Sequence, residues 1–266
     1  MLSLSECIPW MTVVLAESVA VVTLSLCTII VFMRKRNLRK RSMYLVINLA
    51  VVDMVIGGVF AYLEVYFQGT NCNLWKWQLN EVGASIVVIL SLLFFAASFT
   101  NIAIIALERV HATFFPFKHR VLKIWVYRLV IAVVWVTSGL VTIASRRLAQ
   151  FKKEHYVIYL YVTFILICLL IICVSYTSIF VKVCCGAQLQ RHGAASRERK
   201  LTMTLLIMTV VSLLLCLPFV ILSYVRRVMS QSLSFSLSFH LSEAFAVLLL
   251  ANSLVNPILY TMRIPE

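Results

Sequence analysis

Ionisable and oxygen-donor side chains are sparse in this chain, so those inside apolar sequence stand out. Asp53 closes the run Asn48-Leu49-Ala50-Val51-Val52-Asp53 within a longer apolar stretch. A carboxylate buried there requires a cation, a water cluster or a proton. Ser98 and Asn101 in one apolar run, and Asn252, Ser253 and Asn256 in another, offer oxygens at comparable depth. Such donors suit a hard cation. They suit equally a structural hydrogen-bond network between helices, and residue types alone leave both open. Glu108-Arg109-Val110-His111 ends a run, and Glu198 stands in Arg197-Glu198-Arg199-Lys200 where another begins. Arg109 either snorkels to an interface or pairs with Glu198 in a contact made in one state and broken in another. Glu17, Glu64, Glu81 and Glu243 occupy the outer halves of their runs and face a pocket or the rim. No nucleophile–base arrangement and no Cys/His cluster at metal-ligand spacing is present, which argues against an enzyme.

The elements that carry these residues follow from composition. Apolar residues make up 62% of 266 residues, charged residues 13%, and the mean hydropathy is +0.98. Too little polar surface exists to cover a soluble globule, where about 25% of residues are charged. A membrane-crossing helix needs roughly 20 apolar residues. Seven stretches qualify, at about 13–33, 43–67, 82–107, 129–144, 156–181, 201–224 and 241–262. The runs are continuous instead of alternating, which predicts an all-α integral membrane bundle in one domain. Pro218 and Pro257 interrupt the sixth and seventh spans, and each removes a helix hydrogen bond and favours a kink.

The net charge of +14 is arranged by side. The first, third and fifth connections hold Arg34, Lys35, Arg36, Arg39, Lys40 and Arg41; Arg109, Lys118, Arg120, Lys123 and Arg128; and Lys182, Arg191, Arg197, Arg199 and Lys200. With Arg263 these make 17 basic residues against 7 on the other side. Short basic loops stay cytoplasmic, so the N-terminus is expected outside and the C-terminus inside. The charge then faces anionic lipid heads and is no nucleic-acid footprint. The first run lacks a basic leader and is too long for a signal peptide, so it reads as the first span. Cys7 and Cys72 both fall outside and are free to form a disulfide, although sequence does not set their distance. Cys184 and Cys185 follow the fifth span, as palmitoylation sites or plain thiols.

Taken together these residues resemble the rhodopsin-like (class A) G-protein-coupled receptors over essentially the whole chain. Leu49-Ala50-x-x-Asp53 is similar to that family's LAxxD, and Glu108-Arg109-Val110, with Pro116 seven residues on, to its D/E-R-Y. Trp135 matches the fourth-span tryptophan, Tyr176 the fifth-span tyrosine, and Cys216-Leu217-Pro218-Phe219 the CWxP region. Asn252-Ser253-x-x-Asn256-Pro257-x-x-Tyr260 matches NSxxNPxxY. The resemblance implies a plasma-membrane receptor that binds an extracellular ligand and activates heterotrimeric G proteins as the sixth span swings out. It implies that Asp53, Ser98, Asn252, Ser253 and Asn256 hold a sodium ion at rest. It also implies that Arg109 pairs with Glu108 and Glu198, then meets Tyr176, Tyr260 and the G protein.

Departures are also plain. Ser25 replaces the first-span Asn, Val110 the motif's Tyr, Cys216 the toggle tryptophan and Cys168 the fifth-span proline. Ala84 stands where the family's third-span Cys would be, and 146–156 contains no Cys, so the usual outer disulfide is missing. These absences resemble the melanocortin and lipid-receptor (cannabinoid, lysophospholipid) branch. Ser91 stands where amine receptors carry Asp, which points to a peptide or lipid-like ligand instead of an amine. The seventh span has no Lys, so retinal is not expected, and no other cofactor is implied. Glu64, Ser91 and Glu243 are the ligand-binding candidates. The chain ends nine residues after Pro257, so the family's amphipathic eighth helix and tail are expected to be absent. Two other readings compete. A receptor-like protein that does not signal is one, and a small-solute transporter is the other, though the two halves show no self-similarity.

Overall fold

The computed structural model describes residues 4–34, 43–72, 74, 80–151, 154–186, 211, 215, 218 and 235–261. Every regular element among them is helical. They are α1 (Leu4–Arg34), α2 (Met43–Leu63), α3 (Glu81–Phe114), α4 (Pro116–Val121), α5 (Ile124–Gln150), α6 (Glu154–Gly186) and α7 (Phe235–Thr261). After Leu63 the chain passes through a π-helical turn, Glu64–Gln68, and a last turn, Gly69–Asn71. Six of the helices are long and apolar enough to cross a membrane. Among the described residues these are the first five expected spans and the seventh. The sixth, with Glu198 and Cys216, lies outside the described residues, although Val211, Leu215 and Pro218 within it are helical.

Local chemistry sets several ends. Asn80 caps α3, its side-chain oxygen accepting from the Gly83 N–H at 3.0 Å, which satisfies one of the first turn's unpaired donors. Pro116 opens α4 at a position where its missing N–H costs nothing. The fourth span extends beyond the apolar run 129–144: α5 covers Ile124–Gln150. Arg146 and Arg147, expected in an outer loop, sit on its last turns, leaving only 151–153 before α6. The side chains' polarity ended the apolar signal before the backbone hydrogen bonds ended.

Packing places α3 at the centre, against α2, α5 and α6, while α1 lies between α2 and α7. One core joins Phe99, Ala103 and Ala106 of α3 to Ile172, Tyr176 and Ile179 of α6. A second gathers Val14, Val52, Ile56, Ala97, Val134 and Leu250 from five helices. Gly57 lets α1 and α2 approach closely: a Cβ there would stand 3.0 Å from the Ser18 carbonyl oxygen and 3.0 Å from a Val22 methyl. Large apolar residues such as Val19, Leu140 and Leu170 point outward from the bundle, as helices facing lipid require.

Candidate functional site

Polar side chains converge along one column inside the bundle. Asp53, on the inner face of α2, is fully buried. Asn256 of α7 donates to its Oδ2 at 2.9 Å, and Ser98 of α3 to its Oδ1 at 3.3 Å. Ser253, one turn before Asn256, also hydrogen-bonds to it. Three helices are therefore tied to a single carboxylate. Asn252 is buried with its Oδ1 unpartnered, and so is the Ser25 hydroxyl of α1. Pro257 is buried directly after Asn256 inside α7. Tyr260 lies on the last turn of α7.

A second polar chain runs alongside. Asn48 donates to the Asn101 Oδ1 at 2.9 Å and accepts from the Trp135 indole N–H at 3.2 Å. This links α2, α3 and α5 with neutral donors and acceptors. Trp135 also meets Phe94 edge-on, with ring centroids 5.6 Å apart.

At the far end of α3, Arg109 Nε stands 3.0 Å from Glu108 Oε2. Both side chains are about nine-tenths covered, at 11% and 9% exposure. Glu108 is also held from the neighbouring loop helix. His119 of α4 puts Nε2 2.7 Å from Glu108 Oε1, and the Tyr127 hydroxyl of α5 lies 3.2 Å from the same nitrogen. His119 and Tyr127 carried no motif and were not legible as partners. Their approach depends on α4 folding back beneath α3, which spacing does not encode. Tyr176 is buried in the α3–α6 core, with Val110 packed against that cluster. Glu198, the other expected partner of Arg109, and Cys216 fall outside the described residues.

At the opposite end, Glu64 of the π turn and Glu243 of α7 are brought into hydrogen-bond contact. Both are buried, at 6% and 4% exposure. The Gln68 amide, one turn on from Glu64, donates to Glu243 Oε1. Glu64 Oε1 and Glu243 Oε2 remain without partners. The third ligand candidate, Ser91, donates to the Val87 carbonyl of its own helix at 2.8 Å and is not part of this cluster. Above it, a Cys7–Cys72 disulfide fastens the start of α1 to the end of the second span. The Trp10 indole N–H donates to His240 Nδ1 of α7 at 2.9 Å, and His240 Nε2 faces Glu6 at 3.7 Å. Among the described residues no group of three His, Cys, Asp or Glu side chains is placed to hold a metal ion.

The arrangement is a set of polar groups held between helices. It offers a buried carboxylate joining three helices, a covered ion pair at one end and an acidic pair at the other. These features suit a bundle with alternative packings more than a catalyst. The family described as 7 transmembrane receptor (rhodopsin family) matches residues 25–149 and 144–260. No curated protein matches the chain.

Proposed function

The chain belongs to the rhodopsin family of seven-transmembrane receptors, and from that premise we propose that it is a plasma-membrane receptor activating heterotrimeric G proteins. The family is one of membrane receptors, not enzymes. The observation that carries the proposal is the covered Arg109–Glu108 pair, held at 3.0 Å where α3 meets the loop helix α4. In this reading the pair, completed by Glu198, keeps Arg109 from a G protein at rest. Release of the sixth helix, hinged near Pro218 and Cys216, turns Arg109 toward Tyr176 and Tyr260. Asn256 transmits the change because it joins α7 to Asp53, and Pro257, next in the chain, lets α7 bend there. A ligand shifts this balance only through its difference in affinity for the two states.

The N-terminus faces outward in this reading. The 17-to-7 bias of basic residues supports it, and so does the Cys7–Cys72 disulfide, since disulfides persist on the oxidising side. The missing third-span disulfide supports placement near the melanocortin and lipid-receptor branch. Ser91, where amine receptors carry Asp, supports a peptide or lipid-like ligand.

The residues around Asp53 fit a hard monovalent cation. Asp53, Ser98, Asn252, Ser253 and Asn256 would hold a sodium ion, and the unpartnered Asn252 Oδ1 is an oxygen suited to that role. A bound sodium would neutralise the buried carboxylate. Asp53 itself orients Asn256 and Ser98 whichever cation is present.

The test is basal G-protein activation in cells across the main G-protein classes, at matched surface expression. Glu198→Ala is expected to raise it in at least one class and Arg109→Ala to lower it. Silence of all three proteins in every class would favour a receptor-like protein that does not signal.

A further inference from the structure

Lys182 closes the membrane-crossing stretch Tyr156–Lys182 of α6, at the depth where lipid headgroups meet water. Its ammonium is held in place from α3. It donates to the Thr113 carbonyl at 2.6 Å and lies over the Phe114 ring, 4.4 Å from the centroid. An ammonium has three donors, and the carbonyl takes one of them. Both partners are uncharged, and among the described residues no carboxylate lies within ion-pair distance of Lys182. Among those residues its position is fixed and its charge is not balanced. Beside it, Phe114, Thr177, Ser178 and Val181 complete a groove of about 560 Å³ between α3 and α6. The Ser178 hydroxyl is turned away to the Val174 carbonyl of its own helix at 2.7 Å, which leaves the groove mainly apolar. Val174 and Leu170, one and two turns back along α6, continue the same face and are exposed. The groove therefore opens toward the lipid-facing middle of the span. An occupant must be apolar along the helix and anionic at Lys182.

We infer that this groove seats one anionic phospholipid of the surrounding bilayer, its phosphate on Lys182 and one acyl chain along Val181, Val174 and Leu170. A phosphate oxygen accepts the N–H donors that Thr113 leaves free, in a charge-assisted hydrogen bond. Phosphatidylserine meets both demands, since its net negative charge balances the ammonium. Phosphatidylcholine presents the same phosphate, but its own trimethylammonium competes for it and the pair gains no net neutralisation. The lipid would bridge α3 and α6 at the end of the bundle where Arg109 lies. The inference needs only helices that cross a bilayer, so it stands apart from coupling to a G protein.

The full chain is reconstituted in phosphatidylcholine nanodiscs carrying a trace of phosphatidylserine or phosphatidylcholine with a photoactivatable diazirine in one acyl chain. Cross-linked peptides are mapped by mass spectrometry. Labelling of 174–182 is read relative to that of 133–143 on α5, whose exposed Val133, Val136 and Leu140 lie outside the groove. The phosphatidylserine probe is expected to label 174–182 about fivefold more than the phosphatidylcholine probe. An excess of unlabelled phosphatidylserine is expected to remove that difference. Lys182→Gln should bring the ratio down to the phosphatidylcholine level, whereas Lys182→Arg should keep the preference. Ser178→Phe fills the groove and should lower labelling by both probes while 133–143 is unchanged. Equal labelling by the two probes in wild type, or no labelling of 174–182 by either, would overturn the inference. A phosphatidylserine preference that survives Lys182→Gln would do so too. Cross-links between two copies of the chain at 174–182, in place of lipid, would assign the groove to a second copy and equally overturn it.

Discussion

Each polar residue inside the bundle has one consequence when its partner is removed. Asn256→Ala deprives Asp53 Oδ2 of the donor 2.9 Å away and leaves a buried acceptor short of one hydrogen bond. Such a loss costs about 1–3 kcal/mol, so the variant should unfold at a lower temperature than wild type in a thermal melt of the purified protein. Glu108→Gln acts oppositely on function. It keeps a hydrogen-bonding side chain beside His119 but removes the charge that holds Arg109. Basal G-protein activation should rise several-fold, consistent with an ion pair contributing on the order of 1 kcal/mol; an unchanged basal level would contradict a restraining role for the pair. Asp53 and Asn256 were legible as important from sequence, because a charge or amide inside an apolar run demands an explanation. The partnership of Glu108 with His119 was not, since eleven residues and a change of helix separate them.

At the scale of elements, the helices' existence was legible and their edges were not. Hydropathy locates the lipid-facing middle of a span, but backbone hydrogen bonds continue into charged sequence, as α5 does through Arg146 and Arg147. The π turn at Glu64–Gln68 gave no signal either, because a single wider turn is too short to shift the period of the apolar run it ends. The close approach of α1 to α2 yields a matched pair of substitutions. Gly57→Ala places a methyl 3.0 Å from the Ser18 carbonyl oxygen, whereas Gly58→Ala meets nothing within 4 Å. Overpacking of the first kind costs about 1–3 kcal/mol; the second replaces a flexible residue by the best helix former and gains about 0.5–1 kcal/mol. Surface expression and melting temperature should therefore fall for the former and hold or rise for the latter. Equal effects would mean that the helices do not pack as described.

Across the whole molecule, two anchorages close the end of the bundle at which α1 begins. The Cys7–Cys72 disulfide spans 65 residues and Trp10 bonds across 230 residues to His240. Cross-linking a loop of that length stabilises a fold by about 2–4 kcal/mol, so Cys7→Ser with Cys72→Ser should lower the melting temperature, and reductant should do the same to wild type alone. A protein indifferent to both would not hold α1 by this bond. The class of the whole molecule was legible because seven apolar runs, their charge bias and an ordered set of motifs agree. The acidic pair at the mouth was legible only as two separate glutamates, since nothing in their spacing of 179 positions states that they touch. The central claim is that this bundle promotes nucleotide exchange on a G protein through Arg109. The most direct measurement is the GTP-analogue binding rate of purified heterotrimers, one from each main class, mixed with wild-type receptor or Arg109→Ala in nanodiscs. Wild type should accelerate exchange in at least one class, and Arg109→Ala should bring that rate back to the receptor-free level. Equal acceleration by both proteins would contradict the role of Arg109, and no acceleration in any class would contradict the claim itself.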